Sequence, residues 1–217
     1  RFAPQRAKFA EGIDPQNQTS TFDVSYVNDC EGREWPEEAK SAFDFAVSIW
    51  STLLESSIPI RIRANWTALG GNTLGSAGPT LLFTLTGDGV EPNTFYTIAQ
   101  ASAMLGEDLV SQNSVEFDVR VNMNCDFASW YYGLDANPGF NQIDMVTVLL
   151  HEIGHGIGFI GSMSGNNDTQ SADWGLSDPP LPIIYDQFTL DGDFQNLIDP
   201  SAYFNGSSLL YQAVTGQ

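Results

Sequence analysis

The side chains best suited to chemistry in this chain are its only two histidines, His151 and His155, with Glu152 directly after the first. On an α-helix, a spacing of four residues places both imidazole rings on one face, one turn apart, where they can bind the same metal ion. Two histidines without a metal would be a costly use of polar groups in a segment as apolar as residues 145–150. The pattern therefore predicts a Zn²⁺ site with His151 and His155 as ligands.

Glu152 is predicted to act on water rather than to bind the metal. Zn²⁺ held by neutral imidazoles lowers the pKa of a bound water towards 7 and polarises a substrate carbonyl. Glu152 would accept the proton from that water and deliver it to the leaving amine. These roles indicate a zinc-dependent endopeptidase whose substrate is a protein or peptide.

The elements that must hold this site can be read from the periodicity of apolar residues. Alternation over residues 21–27, 58–64 and 115–121 predicts strands, 81–85 is a further strand, and a helical stripe predicts a helix from Pro36 to Leu54. A short helix is expected over 98–105, a loop over the glycine-rich segment 69–79, and a second long helix over 143–160. Gly156 and Gly158 favour termination of that helix. A helix between two strands with short connections indicates a crossover unit.

The strand over residues 115–121 has two interpretations. It could form a sheet edge to which an extended substrate adds as a further strand, or it could be purely structural.

The segment His-Glu-Ile-Gly-His-Gly-Ile-Gly-Phe, residues 151–159, resembles the active-site helix of the leishmanolysin-like metzincins. Residues 130–139 (WYYGLDANPG), 141–159 and 74–79 (LGSAGP) are similar to secreted bacterial zinc metallopeptidases of this kind. The resemblance implies an α+β, metzincin-like fold with a twisted mixed β-sheet, a backing helix, the zinc helix and a small irregular C-terminal subdomain. It also implies a third histidine after a long insertion, and a methionine turn beneath the metal.

The chain departs from that pattern after Gly158. The compact form of the motif would have a histidine at position 161, where this chain has Gly161, and no methionine follows Met163. One explanation is that the sequence stops before both features, so that a separate C-terminal fragment carries the third ligand. The other is an acidic third ligand within the chain; Asp186 ranks first because of its apolar neighbours, followed by Asp168, Asp173 and Asp178.

The predicted domain organisation has three parts. Residues 1–20 are expected to be an N-terminal arm or a processed remnant, 21–161 the upper catalytic subdomain with the zinc helix, and 162–217 a lower subdomain that is incomplete at its C-terminus. No apolar run approaches the length of a membrane span.

The net charge of the chain limits the kinds of partner that it can bind. Eight Lys and Arg oppose 27 Asp and Glu, which gives a net charge of −19 and argues against nucleic acid and anionic lipid. The Asp-rich segments 168–178 and 186–193 offer a Ca²⁺ site, although a solvated acidic surface explains them as well and neither has EF-hand spacing. Cys30 and Cys125 fit either one disulfide in an oxidising, extracellular compartment or two buried thiols.

Two other functions compete with the endopeptidase. One is a non-catalytic binding protein on a metallopeptidase fold. The other is a zinc hydrolase that acts on a non-peptide amide or on a polysaccharide substituent.

Overall fold

The computed structural model of this protein describes residues 18–216. These residues form two compact units, one built from residues 18–81 and 98–157 and the other from residues 82–97 and 158–216. Nearly all of the predicted N-terminal arm, residues 1–20, lies outside the described residues. Within the described part, no helix has the length and apolarity needed to cross a lipid bilayer.

The described elements comprise ten strands, five α-helices and a 3₁₀-helix. In chain order they are β1 (Phe22–Asp29), α1 (Glu37–Leu53), β2 (Ile60–Thr67), β3 (Gly75–Pro79), β4 (Leu82–Thr84), β5 (Phe95–Thr97), α2 (Ile98–Leu105), α3 (Leu109–Gln112), β6 (Val119–Asn124), β7 (Trp130–Tyr131), β8 (Ile143–Asp144), α4 (Met145–Ile157), β9 (Ser164–Asn166), β10 (Ser171–Asp173), the 3₁₀-helix (Ile184–Phe188) and α5 (Ser208–Thr215).

The first unit contains a mixed four-stranded sheet in the order β1-β2-β6-β3. Strands β1, β2 and β6 are parallel, and β3 is antiparallel to β6. The predicted crossover is confirmed, because α1 connects the parallel strands β1 and β2. The predicted α+β class and mixed sheet are confirmed as well.

One prediction about the sheet was wrong, and one open alternative is decided. The loop expected over residues 69–79 is a strand in its second half, β3, because its small residues pair with β6 from Gly75↔Met123 to Pro79↔Val119. The strand expected over residues 115–121 is β6, displaced towards the C-terminus, and it lies inside the sheet. Because β2 and β3 occupy its two sides, it cannot be the substrate-binding edge, and of its two interpretations the structural strand remains.

The core of the first unit lies between the sheet and the helices α1 and α4. Alternate residues of β6 (Val119, Val121 and Met123) are fully buried on this side, together with Leu149 and Ile153 of α4. The Trp50 indole of α1 also donates a hydrogen bond to the Leu150 carbonyl of α4, at 3.2 Å. Helix α4 is thus held on one side by the sheet and on another by α1.

A disulfide joins Cys30, which follows β1, to Cys125, which follows β6, with Cα atoms 6.5 Å apart. Because β1 and β6 are parallel to β2, both cysteines lie at the carboxyl edge of the sheet. Of the two interpretations of the cysteines, the disulfide is confirmed.

The second unit contains two small antiparallel sheets, β4-β5 and β9-β10. Its own buried cluster consists of Ala172, Leu197, Tyr203, Leu210 and Tyr211, to which α5 contributes the last two. The elements of this unit are short and are joined by turns.

Candidate metal centre

Helix α4 carries both histidines, and its two ends are fixed by particular residues. Asp144 precedes the helix, and its carboxylate accepts hydrogen bonds from the backbone N–H of Thr147, at 3.0 Å, and from the Thr147 hydroxyl. This is an N-cap interaction that satisfies one of the free amides of the first turn. The helix ends at Ile157 because Gly158 has φ 135°, a conformation that residues with a Cβ rarely adopt.

Gly156 serves packing and not termination, contrary to the sequence-based interpretation. A Cβ at this position would lie 2.1 Å from Cγ1 of Val119 in β6. Only glycine therefore lets the last turn of α4 approach the sheet this closely. The close approach offsets the cost of about 1 kcal/mol that glycine carries inside a helix.

His151 and His155 project from the side of α4 that is not packed into the core. Their Nε2 atoms are 2.9 Å apart, and the ring planes are inclined at 81°. His151 is exposed, whereas His155 is half-buried. The predicted spacing thus brings two imidazole nitrogens to one point at which a cation could be bound.

Glu152 lies between these histidines in sequence but is buried, with 8 % of its surface exposed. Its side chain lies against Gly75 at the start of β3; a Cβ on Gly75 would be 3.0 Å from Cγ of Glu152. Burial raises the pKa of the Glu152 carboxyl above its ordinary value, while the imidazoles of His151 and His155 act in the opposite direction. A raised pKa suits a group that must take up and release a proton near neutral pH.

No third ligand side chain joins the two imidazoles from the described residues of the first unit. Within residues 18–216, the one group of three potential ligands with closely spaced donor atoms is Cys30, Cys125 and Asp126. That group is not a metal site, since its two sulfurs are bonded to each other.

Asp186, the first acidic candidate for the third ligand, has a structural role in the second unit. It is fully buried and accepts hydrogen bonds from the Ser162 amide at 2.9 Å, the Ser162 hydroxyl at 2.5 Å and the Ile183 amide at 2.8 Å. A Cβ at Gly161 would lie 2.8 Å from its Oδ1, which explains why no larger residue stands there. To bind a metal, Asp186 would have to give up these donors.

The other acidic candidates, Asp168, Asp173 and Asp178, are exposed. None of the Asp-rich segments 168–178 and 186–193 supplies a cluster of three potential ligands within the described residues. Asp191 instead accepts hydrogen bonds from the Gln195 amide and the Tyr203 hydroxyl. The calcium site thus stays a prediction without a ligand cluster among the described residues.

Two features of the site escaped the sequence analysis. One is the edge strand β3, and the other is Gly75, whose missing side chain makes room for Glu152. The glycines of segment 69–79 predict a loop, but glycine within a strand also marks a close approach of the backbone to another element.

The fold and the site together define an α+β protein in which a helix with a His-Glu-x-x-His motif packs beside the edge strand of a mixed sheet. The family model described as SPBPB7E8-like matches residues 5–174, and this chain belongs to the SPBPB7E8-like family. No curated protein and no solved structure matches the chain. Because the family description names no activity, function has to be inferred from the geometry of the site.

Proposed function

We propose that this protein is a secreted zinc-dependent endopeptidase in which His151 and His155 bind Zn²⁺ and Glu152 is the general base. The observation that carries the proposal is the convergence of two imidazole nitrogens, 2.9 Å apart, beside a buried carboxylate. A metzincin-like arrangement of the mixed sheet, the backing helix α1 and the zinc helix α4 is part of this proposal.

The donor atoms fit zinc. Two nitrogens bound to one tetrahedral Zn²⁺ at about 2.05 Å are roughly 3.3 Å apart. The observed separation of 2.9 Å is shorter by a few tenths of an ångström, so a small rotation of either ring is enough. When bound, Zn²⁺ would supply Lewis-acid polarisation of a substrate carbonyl and make water more acidic.

Glu152 does the proton transfer in this proposal. Its carboxylate accepts a proton from the attacking water and gives it to the leaving amine. Its burial against Gly75 restricts the positions that the carboxylate can take, which favours transfer along one direction.

Strand β3 is the proposed substrate-binding edge, in place of the strand predicted from sequence. Among the described residues it pairs only with β6, so its other side has main-chain groups available to an extended peptide. A peptide added there would pass Glu152, because the first residue of β3, Gly75, touches that side chain.

For the third ligand, we favour a histidine that a separate polypeptide fragment supplies. The hydrogen bonds that engage Asp186 make an internal acidic ligand the weaker alternative. Secretion is supported by the Cys30–Cys125 disulfide, since such bonds persist in oxidising compartments.

The test combines metal analysis and hydrolysis. The protein is purified without chelator, its zinc content and intact mass are measured, and casein cleavage is followed for the wild type and for Glu152→Gln. Glu55→Gln, which changes an exposed carboxylate, is the matched control. We expect one zinc per chain, and cleavage that E152Q lowers by at least about 100-fold and E55Q leaves unchanged. Cleavage that survives E152Q would refute the assigned role.

A non-catalytic metal-binding protein is the second candidate, favoured by the presence of two and not three ligand side chains at the site within the described residues. It predicts zinc bound through His151 and His155 without measurable hydrolysis, even when the metal is supplied in excess. If a co-purifying fragment that contains a histidine restores cleavage, the endopeptidase is favoured instead.

A further inference from the structure

One face of the four-stranded sheet packs against α1 and α4, and the opposite face carries a hydrogen-bonded row of polar side chains. Arg63 Nε donates to Asn65 Oδ1 at 3.1 Å, Asn65 Nδ2 donates to Asn122 Oδ1 at 2.7 Å, and Asn122 Nδ2 donates to Ser76 Oγ at 3.0 Å. The row crosses the sheet from β2 to the edge strand β3. We refer to these four residues as the polar row.

Two arginines lie next to each other beside this row. Arg63 and Arg120 are direct partners in the β2–β6 register, and their guanidinium groups lie 5.8 and 5.4 Å from the ring centre of Phe117. Two like charges at adjacent positions repel each other, which is unfavourable unless an anion neutralises them.

The arginine pair has no carboxylate partner among the described residues. The three other described cations each form a salt bridge: Arg33 with Asp126, Lys40 with Glu37 and Arg61 with Asp108. Two unpaired cations are notable in a chain with 27 acidic residues, because acidic partners are abundant. Their positive charge is therefore available to a ligand.

A cavity of about 360 Å³ lies between Arg120, the register neighbour of Arg63, and the edge strand. It is lined by residues 76–80 of β3 and the following turn, and by Phe117, Arg120 and Asn122. The aromatic ring provides an apolar wall, while Arg120 and Asn122 provide hydrogen-bond donors. This combination suits a side chain with a short apolar stem and a carboxylate head.

We infer that this cavity binds an acidic side chain of an extended peptide that pairs with β3, and that Arg120 and Arg63 recognise its charge. The inference rests on the proposed function of β3 as the substrate-binding edge. Gly78 is the register partner of Arg120 and stands three residues after Gly75, which touches Glu152. Three residues of a strand span about 10 Å, so the recognised acidic residue lies about three positions from the scissile bond.

The strongly negative net charge of the chain selects against polyanions, such as nucleic acids, as the occupant. A single carboxylate in this cavity gains a short-range, charge-assisted hydrogen bond from Arg120, with the charge of Arg63 nearby, and is less affected by the distant charges. The site thus fits an acidic peptide side chain better than a phosphate chain.

The experiment measures binding separately from hydrolysis. Fluorescence anisotropy follows two labelled peptides, one with glutamate at alternate positions and the other with glutamine in their place, on the full chain carrying Glu152→Gln and supplied with zinc. The affinity of each peptide is measured for the Glu152→Gln chain and for three variants of that chain, which carry in addition R120Q, both R63Q and R120Q, or K40Q. The last is the matched control, because it removes the same charge from α1.

We expect the glutamate peptide to bind about tenfold more tightly than the glutamine peptide, and R63Q with R120Q to abolish this preference. R120Q alone should remove most of it, K40Q should retain it, and 0.5 M salt should weaken it. Equal affinity for both peptides, no binding of either, or a preference that survives R63Q with R120Q overturns the inference.

Failure of this inference and failure of the endopeptidase proposal are distinguishable. Casein cleavage by the wild type without any arginine-dependent preference for glutamate overturns the acidic site and leaves the endopeptidase standing. An arginine-dependent preference without hydrolysis supports the acidic site and counts against the endopeptidase.

Discussion

Replacing Gly75 with alanine tests whether the close approach of β3 positions Glu152, the proposed general base. The added Cβ would lie 3.0 Å from Cγ and 3.2 Å from the carboxylate carbon of Glu152, and 3.2 Å from the Asn122 carbonyl oxygen. Ordinary carbon contacts are about 3.5–4.0 Å. Because the Asn122 backbone belongs to the β3–β6 pairing, the Glu152 side chain has to yield, by about 0.5–1 Å.

A displacement of this size is expected to lower kcat/KM by about 10- to 100-fold, which corresponds to roughly 1.4–2.7 kcal/mol of lost transition-state stabilisation. Zinc affinity should be unchanged, since neither histidine is among the atoms near the added methyl group. The assay is cleavage of a fluorogenic casein substrate by zinc-loaded protein, with zinc content measured on the same sample.

Gly192→Ala is the control for Gly75→Ala, because no atom lies within 4 Å of a Cβ at that position. It should retain wild-type kcat/KM. Wild-type activity of G75A would refute the positioning role of Gly75. Loss of zinc or of folded structure in G75A would instead assign Gly75 to the stability of the sheet.

Three further predictions concern stability. Gly156→Ala should lower the free energy of unfolding by about 3 kcal/mol or more, because the new Cβ overlaps with Val119, and urea denaturation measures the change. Asp108→Asn removes the carboxylate whose pKa the Arg61 guanidinium holds below its usual range, and should cost about 1 kcal/mol at pH 7. Because that stabilisation is present above the unfolded pKa near 4 and is lost as pH falls towards the lower folded pKa, wild type and D108N should converge in acid denaturation; a constant difference down to pH 2 would contradict the Arg61 pairing as its cause. Replacing both cysteines with serine opens a loop of 95 residues and should cost roughly 3–5 kcal/mol in thermal or urea unfolding, with the reduced wild type behaving alike.

Local features of the sequence were sufficient to predict the helix that carries both histidines. The spacing of His151 and His155 fixes their shared face on any α-helix, and the apolar stripe of 145–153 fixes which side is buried. The strand–helix–strand unit of β1, α1 and β2 was also predictable, because the alternation typical of strands and the 3.6-residue period typical of helices both depend on residues close in sequence.

Long-range pairing decided the rest. Alternation of apolar and polar residues predicts a strand but does not identify its neighbours in the sheet. β6 could therefore be predicted as a strand but not as an interior one. Strand β3 shows no alternation of apolar and polar residues. It forms because its backbone pairs with β6 and because Gly75 and its small neighbours fit against α4.

The sequence by itself determined the pair of imidazoles and the adjacent carboxylate, because four residues along a helix are a fixed distance in space. Only the tertiary structure decided that Glu152 is buried against Gly75, that Asp186 is engaged by Ser162 and Ile183, and that Arg63 and Arg120 lie side by side. Each of those contacts joins residues that are distant in the chain, and their approach depends on the packing of whole elements rather than on any local pattern.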